Sequence, residues 1–234
     1  MTIEEKTEIA CFLDLTLDAI QGGFRTEAKT YNFTDDSEAV NDDELKAPDS
    51  IKSLNDEIRS CTSCPLYKNR KNAVPGDGVE NPLVMVIASC PGNEEDLSGN
   101  SFSGMTGERL KKMLSPVGLS PDTNCFLTTV VKCRPPQGRE ALPDETICCA
   151  AFLRRQILLL NPKIILCMGT IAASSLLKSD EDIDILRKKG GKIRIDNTVI
   201  PVSVTYSPNE VWENQELKRP AWEDLKKLKG LFNK

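Results

Sequence analysis

The sequence predicts an α/β fold of three layers, α-β-α, around a central and mostly parallel sheet of four strands. Four apolar runs, rich in β-branched residues and bounded by turn residues, have the composition of strands that are covered on both faces. They lie at 83–88, 126–131, 163–168 and 199–205. Segments with a helical spacing of apolar residues separate these runs. That alternation is typical of parallel strands joined by right-handed helical crossovers.

The helices are predicted from apolar spacing and from the residues that start and stop helices. Asp144 follows Pro143 and is predicted to cap the longest helix. Gly169 is predicted to turn the third strand into the next helix. The predicted helices are 51–60, 106–117, 144–160, 170–177 and 222–231.

The first 50 residues differ in composition from the rest and predict an N-terminal extension. Residues 3–21 place apolar side chains at helical spacing, and Gly22-Gly23 ends this amphipathic helix. Such a helix either packs on its own domain or docks a protein partner, and the pattern favours neither. Residues 23–50 are acidic and poor in large apolar side chains, which predicts a disordered linker. The predicted divisions are therefore 1–22, 23–50 and 51–234.

The net charge of −5 hides an uneven distribution along the chain. Residues 1–60 contain 15 Asp and Glu against 6 Lys and Arg, a balance of −9, and the remainder contains 20 against 24, a balance of +4. An acidic total therefore does not exclude a nucleic-acid partner for the C-terminal part. No apolar run is long enough for a membrane span and the N-terminus lacks a signal-peptide pattern, so we expect a cytoplasmic protein. The chain has no histidine, so its chemistry works without imidazole.

Nine cysteines are many for a reducing compartment, and their odd number argues against a complete disulfide framework. Cys61-x-x-Cys64 has the spacing of a metal-chelating pair, Cys133 ends a β-branched run, and Cys149 or Cys148 follows in a predicted helix. Four thiolates suit a structural zinc or an iron–sulfur cluster, and the absence of a second tight pair favours the cluster. The alternative is that Cys133 and Cys149 are ordinary core cysteines. We expect that role for three others: Cys11, Cys125 and Cys167.

Polar segments follow the predicted strands at the ends where α/β folds place their sites. These segments are 89–92, 132–134 and 207–208. Several of their residues belong to a series of short motifs that runs along the chain from the first cysteine pair onward. The motifs are Cys61-x-x-Cys64; Val74-Pro75-Gly76; Pro91-Gly92-x-x-Glu95-Asp96; Gly99-x-x-Phe102-x-Gly104-x-x-Gly107; Val131-Lys132-Cys133-Arg134-Pro135-Pro136; Arg139; Cys149; Pro162-Lys163-Ile164-Ile165 with Gly169; Thr205-Tyr206-x-Pro208; and Trp222-x-Asp224-Leu225.

This series resembles the iron–sulfur uracil-DNA glycosylases, the type 4 branch of the uracil-DNA glycosylase superfamily. The resemblance covers about three quarters of the chain, from near Ile58 to the C-terminus. It implies a uracil-DNA glycosylase-like fold and a DNA substrate, single- or double-stranded, that contains uracil or another damaged base. It also implies a repair reaction in which the base is flipped out and its N-glycosidic bond is hydrolysed.

The resemblance also assigns roles to particular residues. It implies a mainly structural [4Fe–4S] cluster, with zinc as the alternative, and the family spacing selects Cys149 over Cys148. The implied cluster ligands are Cys61, Cys64, Cys133 and Cys149. Phe102 matches the phenylalanine that stacks on uracil, although a core aromatic is the simpler interpretation. The implied substrate-binding positions are Cys90, Pro91, Gly92, Phe102 and Thr129.

Three polar positions depart from the family pattern. The acidic residue of the first family motif is Ser89 here, the asparagine that reads the uracil edge is Thr129, and the histidine of the His-Pro-Ser motif is Ser207. Ser89 and Ser207 therefore occupy the catalytic positions. These changes predict that ordinary uracil excision is weak, altered or absent. The alternatives are a non-catalytic glycosylase-fold module that binds DNA or a partner, and a zinc-stabilised α/β protein unrelated to DNA.

The basic residues after the second and third strands are candidates for contact with DNA. They are Lys132, Arg134, Arg139 and the stretch 188–192. The alternative for all of them is a solvated charged face, and for 188–192 that interpretation is favoured. Val211 or Trp212 lies where superfamily members insert a side chain into the duplex, with packing as the alternative. Glu95 and Asp96 lie close in sequence to Ser89, and the sequence favours neither a part in the chemistry nor a role in bracing the loop or the helix that follows.

Overall fold

A mixed sheet of six strands forms the centre of residues 50–195 and 198–232, which are the residues that this computed structural model describes. The strands are β1 (Asp77–Gly78), β2 (Val84–Ala88), β3 (Cys125–Thr129), β4 (Ile164–Met168), β5 (Gly191–Ile195) and β6 (Thr198–Thr205). Their order across the sheet is β1-β3-β2-β4-β6-β5. The four central strands are parallel, and β1 and β5 pair antiparallel at the two edges.

The register of the central strands brings their carboxyl ends to one edge of the sheet. Ala88 at the end of β2 pairs with Thr129 at the end of β3, and Met168 at the end of β4 pairs with Thr205 at the end of β6. All residues of β3 and β4 are buried, as expected for strands that are covered on both faces. The segments that follow β2, β3 and β6 therefore meet on one side of the molecule.

Helices cover both faces of the sheet and produce the three predicted layers. They are α1 (Ile51–Ser60), α2 (Asn93–Ser98), α3 (Gly104–Leu114), α4 (Pro143–Leu160), α5 (Thr170–Leu177), α6 (Ile183–Lys189), α7 (Pro208–Glu213) and α8 (Lys218–Phe232). One core packs α1, α4 and α5 against side chains such as Ile87 and Ile165. The other packs α3 and α8 against Val86 and Leu166. Alternate residues of the same strands thus enter opposite cores.

The α/β class, the four parallel strands and the three layers are confirmed. The sequence did not predict the edge strands β1 and β5, because two-residue and half-exposed strands carry a weak apolar signal. It also missed three short helices, α2, α6 and α7. The prediction that Asp144 caps α4 is wrong. Leu142 occupies the cap position, and its N–H donates to the Glu145 carboxylate at 2.8 Å.

Two further predictions fall partly or wholly beyond these residues. The predicted helix at 3–21 and all of the predicted linker except Ser50 lie outside the described ranges. Ser50 caps α1, since its Oγ accepts from the Ser53 N–H at 3.2 Å. Within the described ranges, none of the helices is long and apolar enough to cross a membrane.

Candidate active site and cysteine site

The four cysteines named as cluster ligands line one small cavity. Cys61 directly follows α1, Cys64 directly precedes a short 3-10 helix, Cys133 lies in the loop after β3, and Cys149 lies in the second turn of α4. The rest of the lining is both apolar and polar: Ile58, Tyr67 and Phe152 together with Ser63, Arg70, Lys132 and Cys148. Three stretches that are distant in sequence therefore converge on one place, which we call the cysteine site.

Arg70 holds the loops of the cysteine site together. Its Nη1 donates to the Cys133 Sγ at 2.9 Å, and its Nη2 donates to the carbonyl oxygens of Cys61 at 2.7 Å and Arg59 at 3.0 Å. A guanidinium suits this task because its donors are fixed in a planar fork. The Cys61-x-x-Cys64 loop and the Cys133 loop are thus joined by one side chain.

The structure separates Cys149 from Cys148, although both line the cavity. Cys149 is buried and its Sγ accepts from the Lys132 N–H at 3.5 Å, whereas Cys148 is only half-buried. Burial raises the pKa of the Cys64 and Cys133 thiols, and it raises that of Cys149 to about 12. Metal binding at these thiols would therefore release protons, since the thiolate is the ligand.

The donor set of the cysteine site fits an iron–sulfur cluster or zinc in kind and number, since both take four thiolates. Across the described ranges, no three Cys, Asp or Glu side chains converge as the ligands of a single metal ion. The four sulfurs instead surround the cavity.

A second and larger cavity, of about 280 Å³, lies at the carboxyl ends of the central strands. We call it the base cavity. All seven residues that the sequence predicted for catalysis or substrate binding line it: Ser89, Cys90, Pro91, Gly92, Phe102, Thr129 and Ser207. The register of β2 and β3 brings the first four close to Thr129, and the turn from β6 into α7 adds Ser207.

The loop after β2 is held by a buried carboxylate that the sequence did not assign to the site. Glu95 lines the base cavity, is 6% exposed, and accepts from the Gly92 N–H at 3.0 Å. Burial raises its pKa. Asp96 instead accepts from the Lys71 N–H at 2.9 Å, so its carboxylate braces the 71–72 segment and not the loop after β2. The Gly92-x-x-Glu95 spacing of a helix start could have identified Glu95.

Phe102 lies in the base cavity on a strained backbone. Its φ is +50°, a conformation that aromatic residues rarely adopt, and only 8% of it is exposed. The turn is held tightly, because a Cβ at Gly107 would lie 1.5 Å from the Phe102 carbonyl oxygen. Strain of this kind persists only where the surrounding structure enforces it, and it concentrates at functional sites.

The two hydroxyls at the substituted family positions differ in what they can still donate. Thr129 Oγ1 donates to the Val131 carbonyl at 2.8 Å, so its proton is used within the protein. Ser207 caps α7, where its Oγ accepts from the Glu210 N–H at 3.2 Å and its own N–H donates to the Glu210 carboxylate at 2.7 Å. The cap leaves the Ser207 hydroxyl proton available.

Arginines occupy the rim of the base cavity, but Lys132 does not. Arg134 donates to Asn93 Oδ1 at 2.9 Å, and Arg139 pairs with Glu145 at 2.6 Å. The prediction that Lys132 contacts DNA is wrong, because the side chain is 1% exposed. Burial lowers its pKa, and the neighbouring Cys149 and Cys133 thiols act in the opposite direction.

The stretch 188–192 forms the end of α6 and the start of the edge strand β5. In the second half of α7, Val211 is buried and Trp212 is 53% exposed. The Arg109 guanidinium lies 4.5 Å from the Trp212 ring and donates to Asn209, which lines the base cavity.

Residues 75–226 match the family model of the Uracil DNA glycosylase superfamily, which is about two thirds of the chain. The chain belongs to the uracil-DNA glycosylase superfamily. It is 37% identical over 186 residues to the Type-4 uracil-DNA glycosylase of Saccharolobus solfataricus, which covers 77% of this chain and 86% of that protein. It is 35% identical to the Type-4 uracil-DNA glycosylase of Archaeoglobus fulgidus, over 79% of this chain and 96% of that protein.

A bacterial relative is similar over the same extent. The Type-4 uracil-DNA glycosylase of Thermotoga maritima is 33% identical over 185 residues, which cover 77% of this chain and 94% of that protein. The resemblance to the type 4 branch of the superfamily is therefore confirmed. In this superfamily member, the cysteine site and the base cavity both adjoin the segment that leaves β3.

Proposed function

We propose that this protein is a DNA glycosylase of base-excision repair whose activity on uracil is weak or altered. A base flipped out of DNA would enter the base cavity, where its N-glycosidic bond would be hydrolysed. The observation that carries the proposal is the convergence of Phe102 with Ser89, Thr129 and Ser207 in one cavity at the strand ends. The relatives named Type-4 uracil-DNA glycosylases support the reaction class.

The chain's own groups suit only part of that reaction. Phe102 would stack on the flipped base, and the Ser207 hydroxyl would donate to the oxygen on which negative charge develops as the base leaves. One such donor typically contributes about 3–4 kcal/mol, or ~100- to 1000-fold in rate. Thr129 donates to Val131 instead, and Ser89 has no carboxylate. Glu95 is the buried carboxylate of the cavity, and its contact with Gly92 holds the loop in which Ser89 lies.

We also propose that the cysteine site holds a [4Fe–4S] cluster through Cys61, Cys64, Cys133 and Cys149. When bound, the cluster would link two loops and the helix α4 covalently through iron–thiolate bonds, a structural role. Zinc is the alternative. Protein purified without oxygen should be brown, absorb broadly near ~400 nm and contain about four irons per chain. A colourless, zinc-loaded protein would contradict the cluster.

A second candidate function is a DNA-binding or partner-binding module that has lost catalysis. The internal hydrogen bond of Thr129 favours it, because the position that reads the base in the family has no proton left to donate. Its hydroxyl oxygen can only accept. A protein partner for residues 1–22 and a cytoplasmic location stay predictions.

One paired assay separates the two candidates. Excision is measured on single- and double-stranded oligonucleotides that contain one uracil, and binding to the same oligonucleotides is measured in parallel over a range of salt concentrations. Matched oligonucleotides with thymine are the control. Abasic product from the uracil strands alone supports the glycosylase. Salt-dependent binding without product supports a DNA-binding module. The absence of both binding and product would contradict the glycosylase and the DNA-binding module.

A further inference from the structure

Lys132 is the largest side chain that the described ranges bury completely, and the proposed reaction does not use it. Its Nζ donates to Thr128 Oγ1, to the Thr129 carbonyl and to Gln156 Oε1, each at 2.6 Å. An ammonium has three donors, and all three are satisfied here. Such a complete set of acceptors indicates a position built for a cation.

No carboxylate compensates this charge. Within the residues that the structure describes, Lys132 takes part in no ion pair within 4.0 Å. A buried charge is costly unless a charge of opposite sign lies nearby. The cysteine site is next to it along the chain and in space, since Cys133 follows Lys132 and Cys149 Sγ accepts from the Lys132 N–H. A metal group bound by four thiolates would carry net negative charge there.

The other side of Lys132 supports the walls of the base cavity. The Lys132 ammonium donates to the Thr129 carbonyl. The Lys132 carbonyl accepts from the Val74 N–H at 2.8 Å. Val74 and Thr129 both line the base cavity. The ammonium's other two partners reach the same wall, because the Thr128 hydroxyl and the Gln156 amide donate to the Pro75 carbonyl at 2.9 and 2.7 Å.

We propose that Lys132 is a positioning residue that ties the cysteine site to the base cavity. Its ammonium holds the end of β3 and the 74–75 segment in place, and it supplies the positive charge that complements the metal–thiolate group. This inference rests on the proposed function, in which the base cavity takes a flipped base and the cysteine site takes a metal group. Lys132 lines the cysteine site without being one of its four cysteines, and it is not among the residues that line the base cavity.

The test uses the full-length protein, purified with its metal, and three variants. Lys132→Met removes the charge at similar length, Thr128→Val removes one acceptor and keeps the charge, and Lys163→Met changes an exposed lysine at the opposite end of the sheet as the control. Amide hydrogen exchange is measured in peptides that cover 72–78 and 126–134. The reduction potential of the metal site is measured by a titration followed by absorbance or electron paramagnetic resonance.

Lys132→Met should speed exchange in both peptides about tenfold or more, because both walls lose an anchor. It should also make the reduction potential more negative, since a nearby positive charge is lost. Thr128→Val should speed exchange and leave the potential unchanged. Lys163→Met should change neither.

Unchanged exchange in Lys132→Met with its iron retained would overturn the proposal, and so would faster exchange with an unchanged potential. If Lys132→Met does not fold, the hydrogen exchange of Thr128→Val is the test. If the site holds zinc, which has no reduction potential to measure, hydrogen exchange is again the only readout. Wild-type protein that binds no uracil-containing DNA would contradict the proposed function and not this inference, because neither readout uses DNA.

Discussion

The cysteine site and the base cavity are built from the same stretch of chain, yet their side chains relate differently to the type 4 pattern. The segment 129–134 contributes to both, through Cys133 on one side and Thr129 and Arg134 on the other. The cysteine site contains the four cysteines that the resemblance implies as ligands. The base cavity contains Pro91, Gly92 and Phe102, and the resemblance predicts that its three polar side chains are changed.

This difference teaches that the scaffold and the chemistry of the fold are separable. The four proposed thiolate ligands would act together on one metal group, so loss of one would leave the other buried thiols without that partner. The cavity instead owes its shape to backbone turns and to the strained Phe102. Polar side chains on such a frame can change while the fold stays intact.

The largest effect should come from the cysteine site. Cys149→Ser should lose most of the metal and lower the Tm by about 10 °C, since loss of a structural metal costs several kcal/mol. Cys148→Ser is the matched control and should keep its metal and its Tm. Metal analysis and thermal unfolding measure both. The reverse pattern would show that Cys148 is the ligand.

The next effect is a gain of activity in the base cavity. The triple variant Ser89→Glu, Thr129→Asn, Ser207→His should raise uracil excision by ~100-fold or more, because it restores a carboxylate and two donors. Single-turnover excision of a uracil-containing oligonucleotide measures it. Metal content should equal that of the wild type if the two regions are independent. No gain with normal folding would mean that the cavity differs from the family at further positions.

Phe102→Ala should weaken binding of uracil-containing DNA by roughly 10- to 100-fold, since stacking on a base is worth about 1–3 kcal/mol. Phe102→Tyr preserves the stacking face and is the control. Binding is measured by fluorescence anisotropy on single-stranded oligonucleotides with uracil or thymine. Equal weakening of both oligonucleotides would show that Phe102 supports the fold and does not read a flipped base.

The smallest effect concerns the ion pair that joins the rim of the base cavity to the helix of Cys149. The Arg139 guanidinium lowers the pKa of Glu145 in the folded protein. The ion pair therefore contributes fully to the stability of the folded protein above the pKa of an unfolded glutamate, about 4.3. This contribution is lost as the pH falls through the lower pKa of the folded protein. We expect a small contribution to the free energy of unfolding, because Arg139 is exposed and solvent screens the pair.

Denaturant unfolding of the wild type and of Glu145→Gln between pH 7 and pH 3 measures this effect. The variant should lose the part of the acid dependence that the pair supplies. An identical pH dependence in the two proteins would show that the pair contributes nothing to stability.

The sequence by itself determined the α/β class and the four parallel strands, which follow from local composition. It also named seven of the residues that line the base cavity, through the order of short motifs that resembles the family. Apolar runs report burial directly, and strand ends report where sites form. It also named four cysteines that the structure brings to one cavity, although spacing left Cys148 and Cys149 unresolved.

Only the tertiary structure decided the roles of Lys132, Thr129 and Glu95. The sequence placed Lys132 among basic residues, which indicated a surface that binds DNA. The fold buries it because Gln156, from a helix 24 positions later, brings the third acceptor for its ammonium. Hydrogen-bond partners at such separations leave no periodic signal in the chain. Whether such partners come into contact depends on how β3 and α4 pack. The same packing determines whether the Thr129 hydroxyl faces a ligand or its own backbone.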